Sequence, residues 1–469
     1  MGIPVISVEQ MRRWEAASWE AGRREEEVIA QVGKLLAERV MKLTQPGDAV
    51  FILAGKGNNG ADARAMEVHL LERRLMVMKV VEPLRALGKV KELLGRKPAL
   101  IVDGLFGIGL NRDLSPDWCA VIDAVNESGC RVLSVDTPSG LDAQTGAVCG
   151  AAVKATWTVT LGAPKPGLIE AKAAQYIGRL EVVTDIGLVP CTEEGELEWV
   201  AAMDFNGFPP ARPVDGHKGT FGHVVILGGS MGYHGAAVFA ARAAQRAMPG
   251  LVTLCVPEVV YVPVASQLQS VMVHPWRAGW NLPGSTSAVV LGPGLAAEGI
   301  PAEMKQFAIE LWRSAHMPVI ADASALDWIP AGPVDGEALR VITPHPGEAA
   351  RMLNWTTGQV QGERAEALRE LSAKWGRAWV VLKGRHTLVG RATGKIALNS
   401  SGNQGLAQGG SGDVLAGYLG GLLAQPRLRG EVSKTIAYGV WQHGVAADAL
   451  AAEKRCWSIE EVLPWLGLI

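Results

Sequence analysis

Asp413 ends the run Gly409-Gly410-Ser411-Gly412-Asp413, directly ahead of the apolar, helically spaced stretch Val414–Leu423. Its glycines let the backbone turn tightly and approach a ligand without Cβ clashes. The loop therefore brings successive N–H groups and a helix N-terminus to one point, which favours a phosphate anion. A carboxylate there is a poor phosphate ligand but a well-placed general base for a hydroxyl attacking a terminal phosphate. The plain alternative is an Asp that caps a helix after a Gly-rich turn. No G-x-x-x-x-G-K-[ST] occurs, which excludes a P-loop. A second Gly-rich stretch, Gly55–Ala63 (GKGNNGADA), follows the apolar run Ala49–Leu53. It reads either as a ligand loop or as a simple strand-to-helix turn, since Asn-Asn-Gly is a turn signal.

These residues need elements to hold them. Ser7 and Gln10 form an S-x-x-Q capping box, and apolar positions then recur at three and four up to Val40 and Leu43, which predicts a helical N-terminus. Apolar runs at Ala49–Leu53, Leu75–Val81, Leu100–Val102, Arg131–Val135 and Thr156–Leu161 alternate with helical stretches, one of them near Trp118–Glu127. From Val189 to Pro213 the pattern dissolves into Pro, Gly and acidic residues, the best linker in the chain. A second alternating series starts at His223 and includes an Ala-rich helix over Ala236–Met248. Such alternation predicts parallel sheets covered by helices on both faces. The expectation is two α/β domains, residues 1–210 and 211–469. In open parallel sheets ligands bind at the C-terminal ends of strands, and the unusual residues sit just after the apolar runs.

Composition narrows the partners. Across 469 residues, 45 Lys+Arg against 47 Asp+Glu leave a net charge of −2, so no basic excess exists to drive binding to a nucleic-acid backbone. No apolar run approaches the ~18–20 residues of a membrane span, and the N-terminus lacks a signal-peptide core. A cytoplasmic protein with no membrane partner is expected. The six cysteines lie far apart, without a C-x-x-C pair or a His at metal spacing, and read as buried reduced thiols.

The segments His217–Pro257, IADASAL, TPHPGEAARML, VLKGRHTLV and NQGLAQGGSGDVLAG together resemble the ADP/ATP-dependent NAD(P)H-hydrate dehydratases, whose fold is ribokinase-like. The resemblance implies repair of hydrated NADH or NADPH. The hydroxyl on C6 of the reduced ring is phosphorylated from ADP or ATP with Mg2+, and phosphate is then expelled. It makes Asp413 the base and assigns the nucleotide to Lys383, Gly384, Arg385, His386 and Thr387 and to Gly409, Gly410, Ser411 and Gly412. Ala236, Gly294 and His345 match positions that contact the hydrated dinucleotide, as does Asp413. Taken alone, Ala236 could be a close-packing residue, His345 a loop anchor and Lys383 a solvated strand end. The chain departs from the family pattern at Ala247-Met248-Pro249, at Ser324 and at Gln408.

The N-terminal half resembles the NAD(P)H-hydrate epimerases through Gly55–Ala63, Val102–Leu110 and Ser134–Asp142. This implies a Rossmann-like three-layer α/β/α domain that interconverts the R and S hydrates. Asn59, Asp103 and Ser139 match potassium ligands, and their oxygens suit a hard cation. Asn58, Asn59, Gly60, Ala61 and Asp62, with Gly107, Ile108, Gly109, Leu110, Asn111, Arg112 and Asp113, match the substrate loops. Asp136 matches a substrate-contacting carboxylate suited to proton transfer, or it caps its local turn. Ala61 and Ala63 replace family glycines. If either needs a positive φ or a close ligand approach, its methyl costs ~1 kcal/mol or more. Ile29–Gly33 loses an acidic and an amide side chain of the family pattern. Two alternatives therefore stand beside the bifunctional reading: a dehydratase with a degenerate, non-catalytic N-terminal domain, and a ribokinase-like small-molecule kinase. A homo-oligomer is expected, because both families commonly assemble.

Overall fold

The computed structural model describes residues 2–468. It divides into two compact units, Ile3–Glu196 and the chain from Leu197 onward. In the first unit Ser7 caps helix α1 (Val8–Glu20). Its hydroxyl accepts from the Gln10 N–H while the Gln10 side chain accepts from the Ser7 N–H, a reciprocal cap worth ~1 kcal/mol. The helical N-terminus is two helices, because Gly22 at φ +88° ends α1 before α2 (Glu25–Leu43) begins.

Six parallel strands follow: β1 (Ala49–Ala54), β2 (Arg74–Lys79), β3 (Leu100–Gly104), β4 (Val132–Val135), β5 (Trp157–Leu161) and β6 (Arg179–Val183). Their order is β2-β1-β3-β4-β5-β6. Alternation along the strands loads both faces. Val50, Ile52 and Val102 pack with Leu36, Val40 and Met66, while Phe51, Leu53 and Ile101 pack with Val90, Val121 and Val125. The helices α3 (Asn58–Ala65), α4 (Pro83–Gly95) and α5 (Pro116–Glu127) complete the three layers. The chain leaves β1 for β2 on one side and returns to β3 on the other. The C-terminal ends of β1 and β3 therefore flank the switch point where such sheets bind ligands.

The second unit has strands β7 (Leu197–Val200), β8 (His223–Leu227), β9 (Leu251–Val256), β10 (Met272–Pro275) and β11 (Ala288–Leu291). It continues with β12 (Val319–Ala321), β13 (Arg340–Ile342), β14 (Trp379–Leu382), β15 (Leu388–Gly390) and β16 (Ile396–Asn399). They line up as β7-β16-β15-β14-β13-β12-β11-β8-β9-β10. All neighbours are parallel except β15, which is antiparallel to both β14 and β16. β7 lies within the segment expected to be a linker and pairs with β16. Helix α6 (His234–Arg246) and the later helices α7 (Pro346–Leu353), α8 (Ser411–Leu423) and α9 (Val432–Glu453) pack around this sheet.

The Ala-rich composition of α6 has a packing cause. A Cβ on Gly417 of α8 would lie 2.0 Å from the Ala240 carbonyl oxygen, and one on Gly421 would lie 2.5 Å from that of Ala244. The two backbones touch, so only glycine fits on one side and small residues on the other. Among the described residues no helix is long and apolar enough to cross a membrane. All six cysteines are free, but only Cys149 and Cys255 are buried and Cys456 is exposed, so the expectation of uniformly buried thiols is corrected.

Candidate active sites

In the second unit the groups of interest sit at the C-terminal ends of adjacent strands. Lys383 follows β14, His345 follows β13, Asp322 follows β12 and Gly294 follows β11. The Gly-rich loop delivers α8 to the same row. Gly410, its N-cap, has φ +92°, and a Cβ there would lie 2.7 Å from the Phe239 ring. Glycine is therefore required on both counts. Gly412 presents its Cα to the strand ends, where a Cβ would lie 3.2 Å from Lys383 Nζ and 3.6 Å from Asp322 Oδ2. In the first turn of α8 the Ser411 N–H donates to the Gln408 carbonyl at 3.3 Å and the Val414 N–H to that of Gly410 at 3.0 Å, which leaves the Gly412 N–H for an anion.

Asp413 stands in that first turn. Burial and the neighbouring carboxylate of Asp322 push its carboxyl up to about 7, against the pull of Lys383. Lys383 Nζ donates to Asp322 Oδ1 at 2.8 Å and lies 3.7 Å from Glu348 Oε2. Burial lowers this ammonium's affinity for its proton, but Asp322, Glu348 and Asp413 together more than reverse that. Asp322 is 2% exposed and also accepts from Thr343 Oγ1 at 2.7 Å.

His345 caps α7. Its Nδ1 accepts from the N–H groups of Gly347 and Glu348, while its own N–H donates to Glu348 Oε2 at 2.7 Å. An Nδ1 used as acceptor puts the ring proton on Nε2, and burial lowers the imidazole's affinity for a second. Gly294, at φ +69°, abuts Ala236, since its Cβ would lie 2.9 Å from the Ala236 Cβ. The loop is locked by Ser230 Oγ, which donates to the Gly294 carbonyl at 2.6 Å.

The run Lys383–Thr387 is split by its geometry. Gly384 and Arg385 are exposed. The His386 imidazole bonds the Asn399 carbonyl at 3.1 Å and packs on Trp199, where burial drives its value down to about 3. Its side chain belongs to the packing of β7 and β16, which leaves its backbone as the part that can meet a ligand. Asp322 and Glu348 were not singled out by the sequence. Their signals, an Asp ending an apolar run and a Glu three residues after His345, are legible only once Lys383 is seen between them.

In the first unit a cavity of ≈ 870 Å³ opens at the switch point. Asn58, Asn59 and Asp62 line it, together with Asp136 and every residue from Gly107 to Asp113. Gly60 and Ala61 do not: Gly60 is packed on Gly55, and Ala61 lies on another side of α3. Both Ala61 and Ala63 are helical, so neither needs a positive φ. The Ala63 methyl is buried against Gly104, away from the cavity. The feared clash with the substrate does not arise. Ile29 and Val32 give the cavity apolar wall, and Gly33 lets α2 meet Ala65 of α3.

Asp103 is fully buried. Its Oδ2 accepts from Ser134 Oγ and the Ser139 N–H, and its Oδ1 accepts from Ser139 Oγ at 2.5 Å. Burial raises its carboxyl, and these hydrogen bonds oppose the rise. Asn59 Nδ2 donates to the Phe106 carbonyl at 2.7 Å, while the buried Asn59 Oδ1 has no hydrogen-bond partner. The Phe106 N–H in turn reaches Ser139 Oγ at 2.9 Å. Asn59, Asp103 and Ser139 are thus joined through Phe106. An orphaned amide oxygen beside carbonyl, hydroxyl and carboxylate oxygens fits a hard monovalent cation.

Asp136 sits at φ +62°, a strained position for a non-glycine residue. Its Oδ1 accepts from Lys165 Nζ at 2.7 Å, Thr160 Oγ1 at 3.1 Å and the Leu161 N–H at 3.1 Å. Lys165, fully buried, was missed in the sequence because its partner lies 29 residues away. Burial, with Asp136, Glu15 and Glu25 nearby, pushes Asp62 up to about 8.

Comparison with known proteins identifies the family. Residues 224–463 match the family described as NAD(P)H-hydrate dehydratase, and residues 77–167 match the YjeF-related protein N-terminus. The bifunctional NAD(P)H-hydrate repair enzyme Nnr of Coxiella burnetii is 34% identical over 95% of this chain and 94% of its own length. An ADP/ATP-dependent NAD(P)H-hydrate dehydratase from Bacillus subtilis, co-crystallised with ATP/Mg2+, is 31% identical. It covers 55% of this chain and 91% of its own, with a TM-score of 0.48. A ribokinase-like superfamily protein from Enterococcus faecalis superposes with a TM-score of 0.50 at 24% identity over 58% of this chain and 95% of its own.

Proposed function

Because the chain belongs to the family of bifunctional NAD(P)H-hydrate repair enzymes, we propose that its two units epimerise and dehydrate hydrated NADH and NADPH. In the second unit Asp413 takes the proton of the C6 hydroxyl as its oxygen attacks the terminal phosphorus of ADP or ATP. Amides of the Gly-rich loop and Lys383 stabilise charge on the moving phosphoryl group. The ring nitrogen's electron pair then expels the phosphate ester and restores the reduced nicotinamide. Ala236, Gly294 and the Nε2–H of His345 border the dinucleotide, while Gly384, Arg385 and Thr387 border the nucleotide. The observation that carries this reading is the Asp413 carboxyl in the first turn of α8, where the Gly-rich loop meets Lys383 and Asp322 at the strand ends. Lys383 already occupies Asp322 and Glu348, and no cluster of three metal-ligating side chains exists among the described residues. Mg2+ would therefore arrive with the nucleotide, held by it and not by a protein cage, and would neutralise charge on the phosphates.

In the first unit Asp136 is the base and Asn59, Asp103 and Ser139 would hold potassium, which would fix the loops after β1 and β3 around the substrate. The acids that line the cavity, Glu15, Glu25, Asp62 and Asp136, favour an active epimerase over a degenerate domain. Full-length protein is given separated R and S hydrates with ADP or ATP and Mg2+, in potassium or choline buffer. Recovery of near-ultraviolet absorbance with release of free phosphate supports the dehydratase. A stable phosphorylated product would instead indicate a small-molecule kinase. Consumption of the S form alone, with R lost only at the enzyme-free rate, would refute the epimerase.

A further inference from the structure

The cavity of the first unit holds carboxyls of opposite circumstance. Asp136 Oδ1 accepts from an ammonium, a hydroxyl and an amide, and its Oδ2 carries none of these bonds. These donors fix the carboxyl in place through Oδ1. Asp62 faces the same cavity with no hydrogen-bond donor and no cation among the groups that act on it; its neighbours are Asp136, Glu15 and Glu25. Glu15 projects from α1 into the cavity, again without a hydrogen bond. Burial and Asp136 raise its carboxyl, against Lys165 and Arg12. Glu25 is already engaged, accepting from Asn58 Nδ2 at 2.6 Å.

Resting on the epimerase reading, we propose that Asp62 is the general acid that protonates the C6 hydroxyl as it leaves, with Glu15 as the positioning residue that sets Asp62 up for this role. The C6–O bond breaks as the Asp62 proton passes to the hydroxyl, which departs as water. The N1 electron pair forms N1=C6. Water then bonds to C6 from the other face, the π pair returns to N1, and the incoming water's proton passes to Asp136 Oδ2. Solvent in the cavity carries that proton back to Asp62, so nothing is consumed. Burial holds the Asp62 proton at neutral pH, with a value of about 8, as a donor requires. The charged groups that act on Asp62 are Asp136, Glu15 of α1 and Glu25 of α2, while Arg12 of α1 and Lys165 line the same cavity and act on Glu15. Lys56 before α3, and Arg112 and Asp113 from the loop after β3, line the same cavity.

Conversion of resolved R hydrate to S by the full chain, followed chromatographically without nucleotide in H2 18O, tests the proposal. Each epimerised molecule should carry 18O at C6, and Asp62→Asn should slow conversion by ~10²-fold or more. Glu15→Gln removes a neighbouring carboxylate, so the alkaline limb of the pH–rate profile should move to lower pH. Retention of 16O would mean ring opening and overturn the mechanism. An Asp62→Asn rate within ~3-fold of wild type would overturn the acid assignment. An unmoved limb in Glu15→Gln would remove Glu15. Should Asp62→Asn fail to fold by circular dichroism, the isotope and Glu15→Gln results still decide. Wild type no faster than the enzyme-free rate would instead sink the epimerase reading itself, before any variant is compared.

Discussion

Replacing Asp413 with Asn should move activity and stability in opposite directions. The wild-type carboxyl lies near 7 in the fold and 3.8 in the open chain, so between those values the native state holds the proton more tightly. Stability therefore falls as pH rises through that window and is level above about 7. At roughly 1.4 kcal/mol per pH unit the cost at pH 8 is about 4 kcal/mol at most. Asp413 is only partly shielded, and screening brings this to about 2 kcal/mol. Asn keeps the shape without the charge, so Asp413→Asn should gain about 2 kcal/mol over wild type in urea unfolding at pH 8 and much less at pH 5. Turnover of the S hydrate, read from the absorbance of reduced nicotinamide, should drop by ~10²–10⁴-fold. Its wild-type kcat/KM should rise with pH through about 7, as Asp413 ionises. A variant that turns over within tenfold of wild type, or that is less stable at pH 8, would refute the reasoning.

Three further outcomes follow from the same geometry. Gly410→Ala forces a methyl to φ +92° and onto the Phe239 ring, so it should cost ~1–3 kcal/mol in thermal unfolding and raise the nucleotide KM. Ala61→Gly restores a residue expected of the family, yet Ala61 is helical and off the cavity. It should lose ~0.5–1 kcal/mol of stability and leave the epimerisation rate unchanged. If the partnerless Asn59 Oδ1 holds potassium as proposed, exchanging potassium for choline should slow epimerisation and leave the unfolding midpoint of an Asn59→Ala variant insensitive to the salt.

The strand-end rule made much of both sites legible, because a parallel strand's carboxyl end projects the same way wherever it lies in the sheet. Asp103, Asp136, His345 and Lys383 could be found as polar residues closing apolar runs. What the sequence could not show was which of them meet. Asp322, Glu348 and Lys165 become visible only through partners tens of residues away, and a pairing across a sheet has no local period. Ala61 and Ala63 were misjudged for a related reason. A loop read from Asn-Asn-Gly turned out to enter its helix at Asn58, where alanine is the better residue. The short hairpin β15–β16 and the strand β7 were lost because three or four residues carry too little alternation to register.

The contact of α6 with α8 has a consequence for motion. Two rods fused at Gly417 and Gly421 cannot slide or splay without opening backbone-to-backbone contact, so the ends bearing Ala236 and Asp413 travel as one body. They act as a fixed jaw. Any clamping on a bound ligand has to come from elements other than these two helices, such as the exposed turn at Arg385, and the spacing of Ala236 and Asp413 is set before a ligand arrives.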